Sequence, residues 1–492
     1  MRKVCRALIA GVLVFPVIAA TGAASAPLPA PWHLDRINQA RLPLDANVSM
    51  GALTGAGIDI YIVDSGVLAS HEQFGGRVFP GVDIPSSLGN SVVNPPSSDC
   101  DGHGTHVSAL AAGSTVGVAT AARIIAVRVL DCEGGGNVGD VVAALRWIRS
   151  HHKSGVAAVV NLSLGVDLGD DGTTIDTEVT ALIEDGVVVT VAAGNGDGNA
   201  SPLNACDIAP GDVSRALTIG ASTNIDAAAS YSNFGPCVDL FAPGGSSTRQ
   251  IQSAWYTSPT SYDYDIGTSM ASPLVAGYAA LLAQQQPGLC ADQISRAIVS
   301  RATPNVLTGV GPTTANKLLF IDTTPITPET PGQPSHVITT VENSSVVVSW
   351  NAPCDGGSPI TNTTVALLRK GKVLQRKTVA PGTTAVRFTK VTNGFSYQVV
   401  VKSENVLGEG VATHRLSTAA VRALRVGLRA VPTAVATFGG NLTLLWNISS
   451  SSRSVCKIIA GQVRFLRAGT CKVGLRTYAG TDPVVRKLRV SR

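Results

Sequence analysis

The chain has 492 residues, room for roughly three domains at ~150 residues each. Its formal charge of +5 is too small to argue for nucleic-acid binding. Charged residues make up 14% and hydrophobic residues 45%, a composition that excludes wholesale disorder; no apolar run reaches the ~18–20 residues of a membrane span. Arg2, Lys3 and Arg6 precede an apolar stretch from Ala7 to Ala20, and Ala24-Ser25-Ala26 follows as a small-residue cleavage site. Together they read as a secretory signal peptide over residues 1–26. Its removal takes Cys5 with it and leaves eight cysteines, an even number that favours disulfides in an exported protein.

From Pro31 to about Asp322 strands and helices alternate. Ile58–Val63, Ile124–Leu130, Val159–Leu164 and Val187–Ala193 are short Val- and Ile-rich runs of buried parallel-strand type. Val138, Val141, Val142, Leu145 and Ile148 recur at helical spacing, and Leu274–Gln286 is helical up to Pro287-Gly288. The expected fold is α/β, a doubly wound parallel sheet over 31–322. Pro325, Pro328, Pro331 and Pro334 then fall every third residue, the period of polyproline II, so 323–333 is expected to be a stiff spacer. Beyond it, alternating strands and Gly, Asn and Pro turns predict all-β modules over 334–418 and 424–492.

Four segments carry chemistry. A strand ends in Asp64; His103 lies in Asp101-Gly102-His103-Gly104-Thr105-His106; Asn195 lies in Ala192-Ala193-Gly194-Asn195-Gly196; and Ser269 lies in Gly267-Thr268-Ser269-Met270-Ala271-Ser272-Pro273. Acyl transfer needs these residue types. A serine hydroxyl becomes a nucleophile when an imidazole takes its proton, and a carboxylate holds the imidazole tautomer. An amide N–H beside the serine backbone N–H receives the developing oxyanion. His106 is assigned a packed role, because no acidic third ligand accompanies it as a metal site requires.

The order Asp64, His103, Ser269, with all four motifs, resembles the subtilisin-like serine proteases, in detail the proteinase K and aqualysin branch. The resemblance covers about Pro31 to Asp322. It implies a subtilisin-type fold and a serine endopeptidase working through an acyl-enzyme, with Asp64, His103 and Ser269 as triad and Asn195 as oxyanion donor. It implies peptide binding as an added strand between Gly134-Gly135-Gly136 and Leu162-Ser163-Leu164-Gly165. Ala192, Ala193 and Gly194 would line a roomy apolar P1 pocket. It implies structural calcium on Asp239 with the carbonyls of Ser214 and Ala216, and no cofactor for catalysis. The acidic loop Asp167–Glu178 fails the EF-hand pattern at Gly169. The resemblance also implies disulfides Cys100–Cys132 and Cys206–Cys237. Cys456 and Cys471 bracket a small hairpin and are expected to pair locally. Cys290 and Cys354 are left over, either free or joining the first domain to the second. Family members usually carry a propeptide, whereas Pro31–Ile37 already looks like the start of a mature enzyme, which leaves the activation route open.

Residues 334–418 resemble a fibronectin type III domain, with Trp350 as the core tryptophan and Tyr397 as the tyrosine-corner candidate; Thr363-Thr364 stands where a Tyr is often found. Residues 424–492 look like small Ig-like modules of exported bacterial proteins. Residues 331–492 carry 22 Lys+Arg and 5 Asp+Glu, whereas residues 27–330 carry 13 and 28. A basic tail on an acidic enzyme suggests either an anchor to anionic cell-wall or extracellular polymer or an intramolecular match. The expected protein is a secreted monomer, possible cell-wall attachment aside, acting on proteins or peptides. The rival is a non-catalytic secreted adhesion protein that retains the fold.

Overall fold

The computed structural model describes residues 30–413 except 85–97, 154–155, 168–171, 198–200, 343 and 394, and, further on, strand segments between 416 and 490. The signal-peptide segment lies outside the described residues, as do the side chains of Cys456 and Cys471 with their expected pairing.

Nine strands form one sheet: β1 (Asp59–Asp64), β2 (Val78–Asp83), β3 (Arg123–Arg128), β4 (Ala158–Leu162), β5 (Val187–Ala192), β6 (Leu217–Ser222), β7 (Leu240–Pro243), β8 (Thr303–Pro304) and β9 (Lys317–Leu318). Their spatial order is β8-β9-β7-β6-β5-β4-β1-β3-β2. Every pairing from β2 to β9 is parallel; only β8 runs antiparallel to its neighbour. Strands covered on both faces need continuous apolar runs. β4 and β5 are accordingly buried at every position, and β1 at all but its first.

Six helices accompany the sheet: α1 (Trp32–Ile37), α2 (His103–Ala112), α3 (Val138–His151), α4 (Gly172–Glu184), α5 (Thr268–Gln285) and α6 (Ala291–Arg301). α2 and α5 pack on each other over the central strands, and α3 and α4 pair over β1 and β5, so the sheet is doubly wound. α5 is buried from Met270 to Ala283, as a helix apolar all round must be. It approaches α2 closely because a Cβ on Gly277 would stand 2.7 Å from Ala111 O. α5 begins six residues before the expected Leu274, and Pro273 sits inside it. Proline there leaves the Ser269 carbonyl without its i+4 donor, and the Ser163 hydroxyl supplies one at 2.9 Å.

Residues 335–413 form a sandwich. Ser335–Glu342, Ser345–Asn351 and Ala385–Thr389 make one sheet; Asn362–Arg369, Lys372–Val379 and Ser396–Asn405 lead the other. Its core holds Val346, Val348, Trp350, Val365, Leu367, Phe388, Tyr397, Val399 and Val401. Burial alternates residue by residue along Ser396–Asn405, the period-2 signature of a strand with one face inside. The Tyr397 hydroxyl donates to Thr392 O at 2.8 Å, as the tyrosine corner requires.

The stiff spacer expected over 323–333 packs against the α/β domain. Ile326 joins the main core. The Gln286 side chain holds both the N–H and the carbonyl of Ile326, and Arg301 donates to the carbonyls of Asp322 and Thr324. The proline period describes backbone shape, but an apolar residue between prolines and polar side chains on α5 and α6 pull the segment onto the enzyme. Cys290 and Cys354 pair, joining the start of α6 to the sandwich. Cys100–Cys132 and Cys206–Cys237 form as the resemblance implied. Farther along, Leu445–Ile448, Gly469–Arg476 and Val484–Val490 are antiparallel strands of one sheet.

Candidate active site

Three of the motif residues emerge where central elements end or begin. Asp64 closes β1 and is fully buried. His103 opens α2, and its Nδ1 lies 2.8 and 2.9 Å from the two Asp64 carboxylate oxygens. With Nδ1 bound there, Nε2 is the nitrogen left to act as a base. Burial alone would lower the His103 pKa; the Asp64 charge and hydrogen bond, then the charges of Asp265 and Asp101, outweigh it and lift it to about 9.

The loop carrying His103 is organised by Asp99, a residue the motif reading missed. Its carboxylate accepts from the Ser65 hydroxyl, from the N–H groups of Asp101, Gly102 and Thr105, and from the Thr105 hydroxyl. The sequence signal for it is slight, an acid two residues ahead of Asp101 and the histidine motif.

Ser269 is the second residue of α5, in the first turn, where N–H groups have no intrahelical acceptor. Its hydroxyl donates to Ser163 O at 3.3 Å. Among the described residues no hydrogen bond joins it to His103, so the base–nucleophile link is not made in this side-chain rotamer; a χ1 rotation redirects a serine hydroxyl. A buried polar network fixes the backbone beneath it. Asn161 Oδ1 accepts from Ser272 and Thr190, and its Nδ2 donates to Ser163 Oγ. Asn195 is oriented by Thr268, whose N–H and hydroxyl both donate to Asn195 Oδ1 at 2.9 Å. That leaves the amide Nδ2 free to donate on the exposed side.

β1 lies between β4 and β3. The segments that follow those two strands, Leu162–Gly165 and Gly134–Gly136, therefore flank the Asp64 end of β1. Gly134, Gly135 and Gly136 are all exposed. Ser163 is buried, and its side chain is committed to Asn161 and Ser269. The Ala193 methyl is fully buried with Ala205, Val238 and Phe241; its N–H donates to Ile219 O and its carbonyl accepts from Asn233 Nδ2. Gly194 has φ +100°, and a Cβ there would stand 2.4 Å from Asn233 Nδ2; Asn233 is a further support residue that no motif flagged. His106 is buried, with Nε2 on Ile251 O, and burial pushes its pKa down to about 3, consistent with packing.

For calcium, Asp239 offers one carboxylate, already accepting from Thr218 N–H at 2.8 Å and pushed up to about 6 by burial. Ala216 is buried and Ser214 exposed. Among the described residues no three His, Cys, Asp or Glu side chains gather as a metal cluster. Orphaned oxygens lie elsewhere. Asp35 Oδ1, in α1, and Asn38 Oδ1, just after it, are buried without a hydrogen-bond partner among the described residues. Burial raises the Asp35 pKa, and neighbouring Asp45 adds to the rise. Unpaired oxygens beside two carboxyls suit a hard cation better than the Asp239 set does.

The Subtilase family matches residues 55–320 and the Fibronectin type III domain residues 331–419. The Extracellular serine proteinase of Thermus sp. (strain Rt41A) is 45% identical over 292 residues, 59% of this chain and 66% of the relative. Alkaline serine exoprotease A of Vibrio alginolyticus is 40% identical over 289 residues, 59% of this chain and 50% of the relative. The chain thus matches between a half and two thirds of these relatives' length. The crystal structure of a cold adapted subtilisin-like serine proteinase superposes with TM-score 0.54 at 41% identity, covering 60% of this chain and 99% of that one.

Proposed function

The chain belongs to the subtilase family, and from that membership and the site geometry we propose that it is a secreted serine endopeptidase. The observation that carries the reading is the Asp64–His103 pair at 2.8 Å, with Ser269 at the start of α5 and Asn195 held there by Thr268. Ser269 Oγ attacks the peptide carbonyl carbon while His103 Nε2 takes its proton. Asp64 stabilises the imidazolium. Asn195 Nδ2 and the Ser269 N–H receive the oxyanion, whose charge exists mainly in the transition state. Collapse breaks the C–N bond, His103 protonates the leaving amine, and water then releases the acyl group by the same steps. Gly134–Gly136 and Leu162–Gly165 pair with the substrate backbone, and the P1 side chain lies beside Ala192–Gly194, which favours broad specificity with an apolar P1. The exposed glycine edge and the extended backbone after β4 support that placement.

A serine-directed fluorophosphonate tests it. The wild type should be labelled at Ser269 and hydrolyse a chromogenic peptide, and Ser269→Ala should do neither. A folded wild type that stays unlabelled would defeat the reading in favour of the adhesion protein.

The reading includes a signal peptide over 1–26, a catalytic domain over 31–322, a linker over 323–333, a sandwich over 334–418 and a basic β module over 424–492. The tail's charge supports attachment to anionic polymer; binding that ignores salt would refute it. Calcium held by Asp35, Asn38 and Asp45, or by Asp239 with Ser214 and Ala216, would brace these loops and take no part in the reaction. A chelator should then lower the melting temperature, with a smaller shift in Asp35→Asn; an unchanged melting temperature would remove calcium from the account.

A further inference from the structure

We propose that Asp101 and Asp265 charge the cleft on either side of His103 and make it select peptides with a Lys or Arg next to the P1 residue. This rests on the peptidase reading and names the substrate class of that site.

Asp101 Oδ1 accepts the His103 N–H at 3.0 Å, which aims the carboxylate along the start of α2. Its Oδ2 lies 3.5 Å from where a Cβ on Gly134 would stand, against the exposed glycine edge. The Cys100–Cys132 disulfide ties the loop before Asp101 to the loop before Gly134 and holds them together. On the other side, Asp265 ends the strand Tyr262–Asp265, four residues before Ser269, and its Oδ1 accepts from Ile266 N–H. Burial raises the Asp265 pKa; His103 pulls it down, and the charges of Asp263 and Asp101 push it up. His106, three residues along α2 from His103, meets Ile251 O, and Ile251 pairs with Asp265 across the hairpin, so Asp265 sits against the start of α2 with His103 and Asp101. Asp131 and Glu133 add charge along the glycine edge.

Among the described residues none of these five acids forms an ion pair with a Lys or Arg. Arg128, the near cation, is turned inward, donating to Leu130 O, Ser98 O and the disulfide sulfurs. Residues 85–97, next along the chain, contain no Lys or Arg. Side chains of an added strand alternate between faces. With P1 directed at Ala192–Gly194, its neighbours point the other way, toward His103 and the two carboxylates. A long cationic side chain there relieves the acid–acid repulsion, and an acidic one is rejected.

Internally quenched peptides that differ only in the residues flanking P1, carrying Lys, Ala or Glu, test this on the full-length enzyme. Expected is kcat/KM in the order Lys, Ala, Glu, with Lys over Glu by about tenfold at low salt and a ratio that shrinks as salt rises. Asp101→Asn should collapse the ratio at the residue before P1, and Asp265→Asn the ratio at the residue after it. Ratios taken within one variant are insensitive to the fraction folded. Each variant should also move the acidic limb of the pH–rate profile to lower pH, because a charge that raises the His103 pKa has gone. Equal kcat/KM for all three peptides in the wild type, or ratios unchanged in both variants, would overturn the inference. An enzyme that cleaves the Ala peptide but ignores flanking charge sinks the inference alone. One that neither cleaves it nor takes the fluorophosphonate sinks the peptidase reading, and the inference with it.

Discussion

The α/β region and the sandwich solve different problems with the same backbone physics. The sandwich is built from alternation: Val346, Val348 and Trp350 point inward, and their neighbours point out. Its specific polar contacts, such as Tyr397 to Thr392 O, pin a corner. The α/β region buries polar groups in several places, and one set of them gathers under the site. Asp64, Asp99, Asn161, Thr190, Thr268 and Ser272 lie around the site, and their hydrogen bonds run to one another, to neighbouring side chains such as Ser65, His103 and Asn195, or to the backbone. An unsatisfied buried polar group costs about 1–3 kcal/mol, so such a network tolerates few arrangements. It is costly to assemble, and it holds reactive atoms in register. The comparison teaches that rigidity in the α/β region is concentrated under the site, whereas in the sandwich it is spread through a core.

If that contrast is right, damage to the two regions should differ in kind. The largest effect should come from Ser269→Ala, a loss of about 10⁶ in kcat, a scale carried over from subtilisin rather than derived from this geometry; active-site titration checks it. Asn195→Ala should cost about 10²–10³ in kcat with little change in KM, a magnitude also taken from subtilisin; a rise in KM alone would break the oxyanion assignment. Cys290→Ser should cost about 2–4 kcal/mol of stability, as loss of a native crosslink does, and free the sandwich for proteolytic release while leaving hydrolysis of a small peptide intact. Gly332→Ala should weaken the same junction, since its Cβ would stand 2.4 Å from Cys354 Sγ. Tyr397→Phe should cost about 1 kcal/mol, the usual worth of one hydrogen bond, visible in a melt of the sandwich and absent from kcat.

The pH profile sharpens the contrast further. His103 must be neutral to take the serine proton, and its pKa is lifted to about 9. Below that value the imidazolium dominates, so kcat/KM should rise with pH and level off only near 9. A plateau at neutral pH would mean that burial outweighs the carboxylates, Asp64 first, that raise the His103 pKa.

Chain order and residue type alone made several things legible. The Val- and Ile-rich runs marked the parallel strands, because strands covered on both faces must be apolar throughout. Four short motifs named Asp64, His103, Asn195 and Ser269, and alternation with Trp350 and Tyr397 marked the sandwich. Those features are local, carried by residues within a few positions of one another. What the sequence could not decide was long-range. Asp99, Asn161 and Asn233 look like ordinary polar residues until folding brings Ser65, Ser272 and Gly194 against them. The prolines of 323–333 specify an extended backbone but not what it lies on, so only the structure shows Ile326 in the core and Gln286 gripping it. Cys290 and Cys354 have no local signal at all, since a disulfide needs two Cβ atoms within about 4 Å and only tertiary packing sets that distance. The acidic rim is of the same kind: Asp101 and Asp265 are far apart in sequence, and they become one field only where α2 and the strand before α5 meet at His103.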